Sequence, residues 1–244
     1  MQTANVLGVR FHVLTMQEAV ETALALMEND APAAVYTPNP EIVMRARKDA
    51  AFMEVLNRGE LVIPDGIGVV YAMRMNGVKS AVRVPGYDLV QALFAELCRT
   101  EKTAYFLGGT AESVAGAQEN MEKMYPGLKI VGRHDGYFDE NEERLIIEEI
   151  ERLKPDLLLV GLGFPRQEMW IDAHRDLPVG LMIGVGGSFD GMSGKVKRAP
   201  VAFQKLGLEW LYRLAKQPSR IGRQMILPKF MLTAIGVRMR GEEK

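Results

Sequence analysis

One acidic residue stands where a carboxylate could act on a bound substrate. Asp65 lies in the segment Ile63-Pro64-Asp65-Gly66-Ile67-Gly68, between an apolar run and a glycine that favours the start of a helix. A carboxylate in that position can act as a general base that takes a proton from an alcohol. It can equally cap the helix by accepting hydrogen bonds from backbone N–H groups. The spacing alone leaves both interpretations open.

Short polar side chains and one arginine accompany other turns. Thr37 and Asn39 directly follow an apolar run, and their side chains suit the hydroxyl and amide groups of a sugar. The same residue types are common helix caps. Arg83 precedes a Pro-Gly turn, where its guanidinium could clamp a phosphate or pair with Asp88. The residues themselves do not decide between these roles.

Three glycine-rich turns each follow a predicted strand. They contain Gly108-Gly109, Gly161-Leu162-Gly163 and Gly186-Gly187. Glycines in such turns let backbone N–H groups approach a diphosphate at a helix N-terminus. The middle turn lacks the third glycine of the dinucleotide-binding motif, since Arg166 stands there. NAD binding is therefore disfavoured.

Several familiar motifs are missing from the sequence. It contains no DxD pair and no P-loop, and its three histidines are scattered. We therefore expect no metal site and no cofactor. If a diphosphate leaves during a reaction here, arginines and backbone amides must neutralise its charge.

The C-terminal segment is basic although the chain as a whole is not. From Lys195 to the end there are twelve Lys/Arg and three Asp/Glu, in a chain of net charge −1. Arg213, Arg220 and Arg223 are the candidates for binding a diphosphate. The apolar residues between them recur at helical spacing, which predicts basic amphipathic helices suited to a membrane surface.

Alternatives to membrane binding remain for this segment. Its apolar stripe could instead pack onto the body or a second subunit, so a homo-oligomer is possible away from a membrane. Nucleic acid is not an expected partner, because the basic residues alternate with aliphatic ones and form no aromatic stacking platform.

The pattern of strands and helices predicts an α/β fold that positions these residues. The fold is Rossmann-like, with a mostly parallel sheet flanked by helices. Short β-branched runs predict strands over 33–37, 60–63, 103–107, 128–131, 156–160 and 180–185. Helices are predicted to begin near Pro40, Gly66, Tyr87, Thr110, Asp139 and Pro165, and Thr15 with Glu18 forms a capping box for an earlier one. We divide the chain into a catalytic body, residues 1–195, and a helical membrane-associating appendage, residues 196–244.

Composition indicates a globular protein of ordinary character. Hydrophobic residues make up 48% and charged residues 25% of 244 residues. The single cysteine, Cys98, excludes a disulfide within the chain. No secretory signal and no apolar run of about 20 residues is visible, so a cytoplasmic location is predicted.

Taken in order, these segments resemble the WecG/TagA/CpsF family of bacterial glycosyltransferases over nearly the whole chain. The motifs that carry the resemblance are Thr37-Pro38-Asn39, Pro64-Asp65-Gly66, Arg83-Val84-Pro85-Gly86, Gly136-Tyr137-Phe138, Pro165-Arg166-Gln167-Glu168, Gly186-Gly187-Ser188-Phe189-Asp190 and the tail segment from Gln204 to Arg213. The resemblance implies an inverting, metal-independent transfer of N-acetylmannosamine from UDP-N-acetylmannosamine to N-acetylglucosaminyl-diphospho-undecaprenol.

The resemblance also implies a role for each motif. Asp65 would be the general base, Thr37, Asn39 and Gln167 would bind sugar and acceptor groups, and Arg83 would lie near the acceptor or its phosphates. Tyr137 and Asp190 are similar to positions that hold the uridine. Arg213, Arg220 and Arg223 look like tail arginines that fold over the diphosphate at the cytoplasmic face of the plasma membrane.

Other functions stay open from the sequence. A related UDP-hexose or UDP-N-acetylmannosaminuronate transferase of capsule or common-antigen synthesis would share these motifs. A nicotinamide-dependent oxidoreductase is a weaker enzymatic rival. A membrane-peripheral nucleotide-binding module without catalysis is the non-enzymatic alternative.

Overall fold

The structure, a computed structural model, describes residues 1–29, 31–196, 199–200, 203, 209–216 and 225–240. Its strands are β1 (Thr3–Val6), β2 (Val9–His12), β3 (Ala33–Tyr36), β4 (Leu61–Val62), β5 (Thr103–Gly108), β6 (Lys129–His134), β7 (Leu157–Gly161) and β8 (Leu181–Gly184). Its helices are α1 (Met16–Met27), α2 (Pro40–Ala46), α3 (Ala50–Asn57), α4 (Ile67–Met75), α5 (Gly86–Leu97), α6 (Ala111–Met124), α7 (Glu140–Leu153), α8 (Arg166–Ala173), α9 (Ser188–Met192), α10 (Glu209–Lys216) and α11 (Ile226–Met239).

Six strands form one parallel sheet in the order β4-β3-β8-β7-β5-β6. These are the six strands that the sequence predicts, and the α/β fold class is confirmed. β1 and β2 pair separately as an antiparallel hairpin, which the sequence analysis did not predict.

Helix starts follow local capping chemistry. Thr15 accepts a hydrogen bond from the backbone N–H of Glu18, whose carboxylate accepts in return from the backbone N–H of Thr15. Asp139 and Glu142 form the same reciprocal pair at the start of α7. These boxes satisfy N–H groups that a helix end otherwise leaves without partners.

Alternating side chains divide the core between the two faces of the sheet. On β3, Ala34 and Tyr36 face one apolar cluster and Ala33 and Val35 face the other. Every residue of β7 is buried, as expected for a parallel strand covered on both faces. Burial of both faces fixes the strand register, which in turn fixes where the turns emerge.

The connections diverge between β5 and β7. The chain leaves β5 towards β6 on one side, and leaves β7 towards β8 on the other. In open α/β sheets, ligands bind at the carboxyl ends of the strands where the connections diverge in this way. The turns containing Gly108-Gly109 and Gly161-Gly163 lie at that point.

The C-terminal helix α11 packs against α2 and α4. Its buried side chains are Phe230, Ala234 and Val237, and all three belong to one of the two core clusters. Although α11 belongs to the predicted appendage, it contributes side chains to the core of the body. The division of the chain at residue 195 remains a proposal. None of the described helices combines the length and the apolar character that spanning a bilayer requires.

Candidate functional site

Asp65 lies in the loop between β4 and α4, with about a third (32%) of its side chain exposed. The N-cap of α4 is its neighbour Gly66, and among the residues that the structure describes no side chain caps that helix end by a hydrogen bond. The capping interpretation of Asp65 therefore does not describe the start of α4. A partly exposed carboxylate at the carboxyl end of the sheet is placed where it can meet a substrate.

Arg83 is the cation beside this carboxylate. Its Nε donates to the backbone oxygen of Asp65 at 2.6 Å, and its Nη2 lies 3.4 Å from Oδ1 of Asp65. The same Nη2 lies 2.6 Å from Oε2 of Glu209, the first residue of α10. The sequence predicted either a phosphate or Asp88 as the partner of Arg83. In the structure Arg83 forms ion pairs with the carboxylates of Asp65 and Glu209.

Thr37 and Asn39 follow β3, next to the loop that carries Asp65. The side-chain oxygen of Asn39 accepts from the backbone N–H groups of Glu41 at 2.9 Å and Ile42 at 3.1 Å, so it caps α2. The amide NH2 is thus the part of Asn39 that can bind a ligand without uncapping the helix. Thr37 lies against Gly86, where any added Cβ would touch its side chain.

The three turns after β5, β6 and β7 are joined by backbone hydrogen bonds. The N–H of Gly109 donates to the oxygen of Gly161 at 3.0 Å, and the N–H of Gly136 donates to the oxygen of Gly109 at 2.9 Å. Gly108 has φ +130, and a Cβ there would collide with the carbonyl of Gly161. Only glycine permits this close approach.

The turn after β8 is open on one side. Among the described residues, nothing lies within 4 Å of the positions that a Cβ would occupy on Gly186 and Gly187. Gly186 has φ +52. Backbone groups that face open space beside a short helix can approach a bound anion, so the expectation for these two glycines is sterically possible.

Gln167 is buried beneath this turn, with 4% of its surface exposed. Its side-chain oxygen accepts from the N–H of Gly186 at 2.9 Å, and its amide nitrogen donates to Oε1 of Glu168 at 2.8 Å. Gln167 therefore holds the Gly186 turn in the structure. Its predicted contact with sugar or acceptor groups stays a prediction.

Glu168 is a buried carboxyl group to which the sequence analysis assigned no role beyond its place in the Pro165-Arg166-Gln167-Glu168 motif. It is 2% exposed, and burial raises its pKa to about 7. Its Oε2 has no hydrogen-bond partner among the described residues. A glutamate beside a glutamine in a helix carried no sequence signal for burial of this kind.

Asp190 and Tyr137 reach the same edge of the sheet from different elements. Oδ1 of Asp190 accepts from the hydroxyl of the buried Ser113 at 2.5 Å, which ties α9 to the start of α6. Tyr137 is 78% exposed and follows β6. Nearby, Arg166 donates to the oxygen of Gly136 at 2.8 Å and stacks on the ring of Phe138 at 4.6 Å.

The site residues predicted on the body lie on the segments that follow the carboxyl ends of the sheet strands, except Arg83, which reaches that end through its contacts with Asp65. The backbone of Arg213 lies in α10, but its side chain and the whole of Arg220 and Arg223 lie outside the described residues. Glu209 is the functional candidate that the sequence analysis missed. Its signal was available, because it is the one acidic residue between Lys195 and Arg240 in a basic segment.

Comparisons with known proteins find similar sequences over most of the chain. A family model described as "Glycosyl transferase WecG/TagA/CpsF family" matches residues 4–244. An N-acetylglucosaminyldiphosphoundecaprenol N-acetyl-beta-D-mannosaminyltransferase of Bacillus subtilis (strain 168) is 38% identical, over 83% of this chain and 79% of its own. Proteins of the same name are 35% identical in Bacillus spizizenii, over 86% and 81%, and 36% identical in Staphylococcus aureus (strain MW2), over 93% and 90%.

Proposed function

The chain belongs to the WecG/TagA/CpsF family of glycosyl transferases, and we propose that it transfers N-acetylmannosamine from UDP-N-acetylmannosamine to N-acetylglucosaminyl-diphospho-undecaprenol. The product is a linkage unit for a surface polymer such as wall teichoic acid. Support comes from relatives of that name at 35–38% identity. The observation that carries the chemistry is the partly exposed carboxylate of Asp65 at the ligand-binding edge of the sheet.

In the proposed reaction Asp65 accepts the proton of the acceptor hydroxyl as its oxygen attacks the anomeric carbon of the donor. The bond from that carbon to the β-phosphate oxygen breaks, and its electron pair leaves on UDP. Attack from the face opposite UDP inverts the anomeric configuration. Asp65 lies in a loop beside Arg83. The guanidinium of Arg83 can therefore orient the Asp65 carboxylate or a bound phosphate.

The remaining residues divide between donor and acceptor. We assign Tyr137 and Asp190 to the uridine, and the backbone of Gly108, Gly109, Gly186 and Gly187 to the diphosphate. Thr37 and the amide NH2 of Asn39 are assigned to sugar hydroxyl or acetamido groups. Gln167 is assigned to the same groups, in addition to the hydrogen bond by which it holds the Gly186 turn. Arg213, Arg220 and Arg223 would neutralise the leaving UDP without a metal ion.

The proposed acceptor is a lipid, so the site must work at a membrane surface. Apolar side chains at and just before α11 are exposed, namely Met225, Leu232, Ile235 and Met239. Together with the surrounding basic residues they support peripheral attachment of the C-terminal segment to the cytoplasmic face of the membrane. Away from a membrane, the same side chains could join two copies of the chain.

Mass spectrometry of a UDP-sugar panel incubated with short-chain lipid-diphosphate-GlcNAc tests this function. We expect one N-acetylhexosamine to be added from UDP-N-acetylmannosamine and much less from the glucose, N-acetylglucosamine and N-acetylmannosaminuronate donors. Preferred transfer of the uronate or a hexose would reassign the donor within the family. UDP binding without transfer from any donor would favour a nucleotide-binding module instead.

A further inference from the structure

Glu209 is an acidic residue in a basic segment, and it is held in place. It begins α10, its surface is 8% exposed, and its Oε2 lies 2.6 Å from Nη2 of Arg83. Burying a carboxylate is costly unless a cation compensates it, so this ion pair helps to define where α10 docks on the body. The contact spans the boundary between the proposed body and appendage.

The guanidinium of Arg83 is shared between two carboxylates. Its Nη2 is 2.6 Å from Glu209 but 3.4 Å from Oδ1 of Asp65. Charge-assisted N–H···O bonds are strong near 2.7–2.9 Å, so the contact with Glu209 is the closer and stronger one. These two carboxylates are the charged groups that the described residues place in ion pairs with Arg83.

The guanidinium cannot simply leave when Glu209 is absent. Its Nε also donates to the backbone oxygen of Asp65 at 2.6 Å, which keeps it next to that residue. Without a carboxylate at position 209, Nη2 of Arg83 can pair more closely with Oδ1 of Asp65. An adjacent cation stabilises the ionised form of a carboxylate and so makes it a weaker base.

We propose that Glu209 is a positioning residue that draws Arg83 away from full pairing with Asp65, so that docking of α10 keeps the Asp65 carboxylate basic enough to accept a proton. This inference rests on the proposed role of Asp65 as general base. It makes the C-terminal segment a regulator of the base as well as a candidate binder of phosphate. Release of α10 would then weaken the base even in a site that still binds donor.

Glu209→Gln tests the inference, since it removes the charge and keeps the size of the side chain. In protein carrying 13C in the aspartate carboxyl groups, the Asp65 resonance is identified by its disappearance in Asp65→Asn. We expect the midpoint of its titration to move about one pH unit lower in Glu209→Gln. The acid limb of kcat/KM should move the same way, and transfer at pH 7 should fall about threefold to tenfold.

Further variants separate this coupling from a structural effect. Glu101→Gln neutralises an exposed glutamate that pairs with Lys129 at the opposite edge of the sheet. It should change neither the titration midpoint of Asp65 nor the pH dependence of kcat/KM. Glu209→Asp keeps the charge and should recover part of the shift. In an Arg83→Gln background, Glu209→Gln should lower the Asp65 midpoint by clearly less, because only the direct repulsion between the two carboxylates is then removed.

Two results would overturn the inference: an unchanged or raised Asp65 midpoint in a folded Glu209→Gln protein, or a shift of equal size without Arg83. Failure of the proposed function looks different. A wild-type protein that transfers no sugar from any donor would refute that function, whereas the titration of Asp65 needs no turnover and tests the coupling by itself.

Discussion

The side-chain amide of Gln167 donates to Glu168 at 2.8 Å while its oxygen accepts from the backbone of Gly186 at 2.9 Å. The hydrogen bond to Glu168 thus selects the orientation of the amide that holds the Gly186 turn. The carboxyl group that makes this selection is buried, and burial raises its pKa to about 7 from an ordinary value of 4.5. This pair therefore links the pH dependence of stability to the shape of the candidate site.

Glu168 should make the protein less stable as pH rises. Between about pH 4.5 and 7 the folded state keeps a proton on Glu168 that the unfolded state has lost, so the free energy of unfolding falls through this window. The loss should amount to at most about 3 kcal/mol. Urea denaturation of wild type and Glu168→Gln at several pH values checks this. The difference between them should follow that window, and parallel curves would contradict the prediction.

Asp65→Asn should slow transfer strongly while leaving the fold and donor binding intact. The amide cannot accept the acceptor proton, so kcat should fall by roughly 10² to 10⁴ with a much smaller change in KM. Asp49→Asn is a matched control, because Asp49 caps α3 and asparagine caps helices equally well. Steady-state kinetics with UDP-N-acetylmannosamine measures both. Retention of near-normal kcat in Asp65→Asn would remove that residue from the reaction.

The sequence predicted the parallel sheet because its strands are apolar runs that end in recognisable turn residues. It missed the β1–β2 hairpin because Leu7 occupies the turn with φ 54, where asparagine or glycine would have signalled it. The residues after the strands could be assigned to one edge from the topology alone. The contact of Arg83 with Glu209 could not be predicted, because it depends on how a helix distant in sequence packs against the body. The burial of Gln167 likewise depends on tertiary packing.

Gly108→Ala should destabilise the protein and impair donor binding. The new methyl group would collide with the carbonyl of Gly161, in a backbone conformation (φ +130) that alanine rarely adopts. We expect a loss of more than about 3 kcal/mol in the free energy of unfolding. Gly77→Ala separates the cost of the backbone conformation from the cost of the collision. Gly77 has φ +95, but a Cβ there would have no described atom within 4 Å. Gly77→Ala should cost about 1 kcal/mol, and equal losses in both variants would show that the collision with Gly161 is unimportant.

Two neighbouring residues of α11 should separate packing from membrane attachment. Phe230 is fully buried in the core cluster, whereas Leu232 is 72% exposed on the same helix. Phe230→Ala should therefore lower the free energy of unfolding by about 3–5 kcal/mol, and Leu232→Ala by less than about 0.5 kcal/mol.

If the exposed side chains enter the headgroup region, Leu232→Ala should instead weaken sedimentation with phosphatidylglycerol vesicles. Removing its side chain takes apolar area out of the membrane contact but leaves the core intact. Urea denaturation and vesicle sedimentation on the same two proteins give the comparison, with phosphatidylcholine vesicles as the uncharged control. Unchanged sedimentation of Leu232→Ala together with a shift from dimer to monomer in sedimentation velocity would mean that this face joins two copies of the chain rather than a membrane.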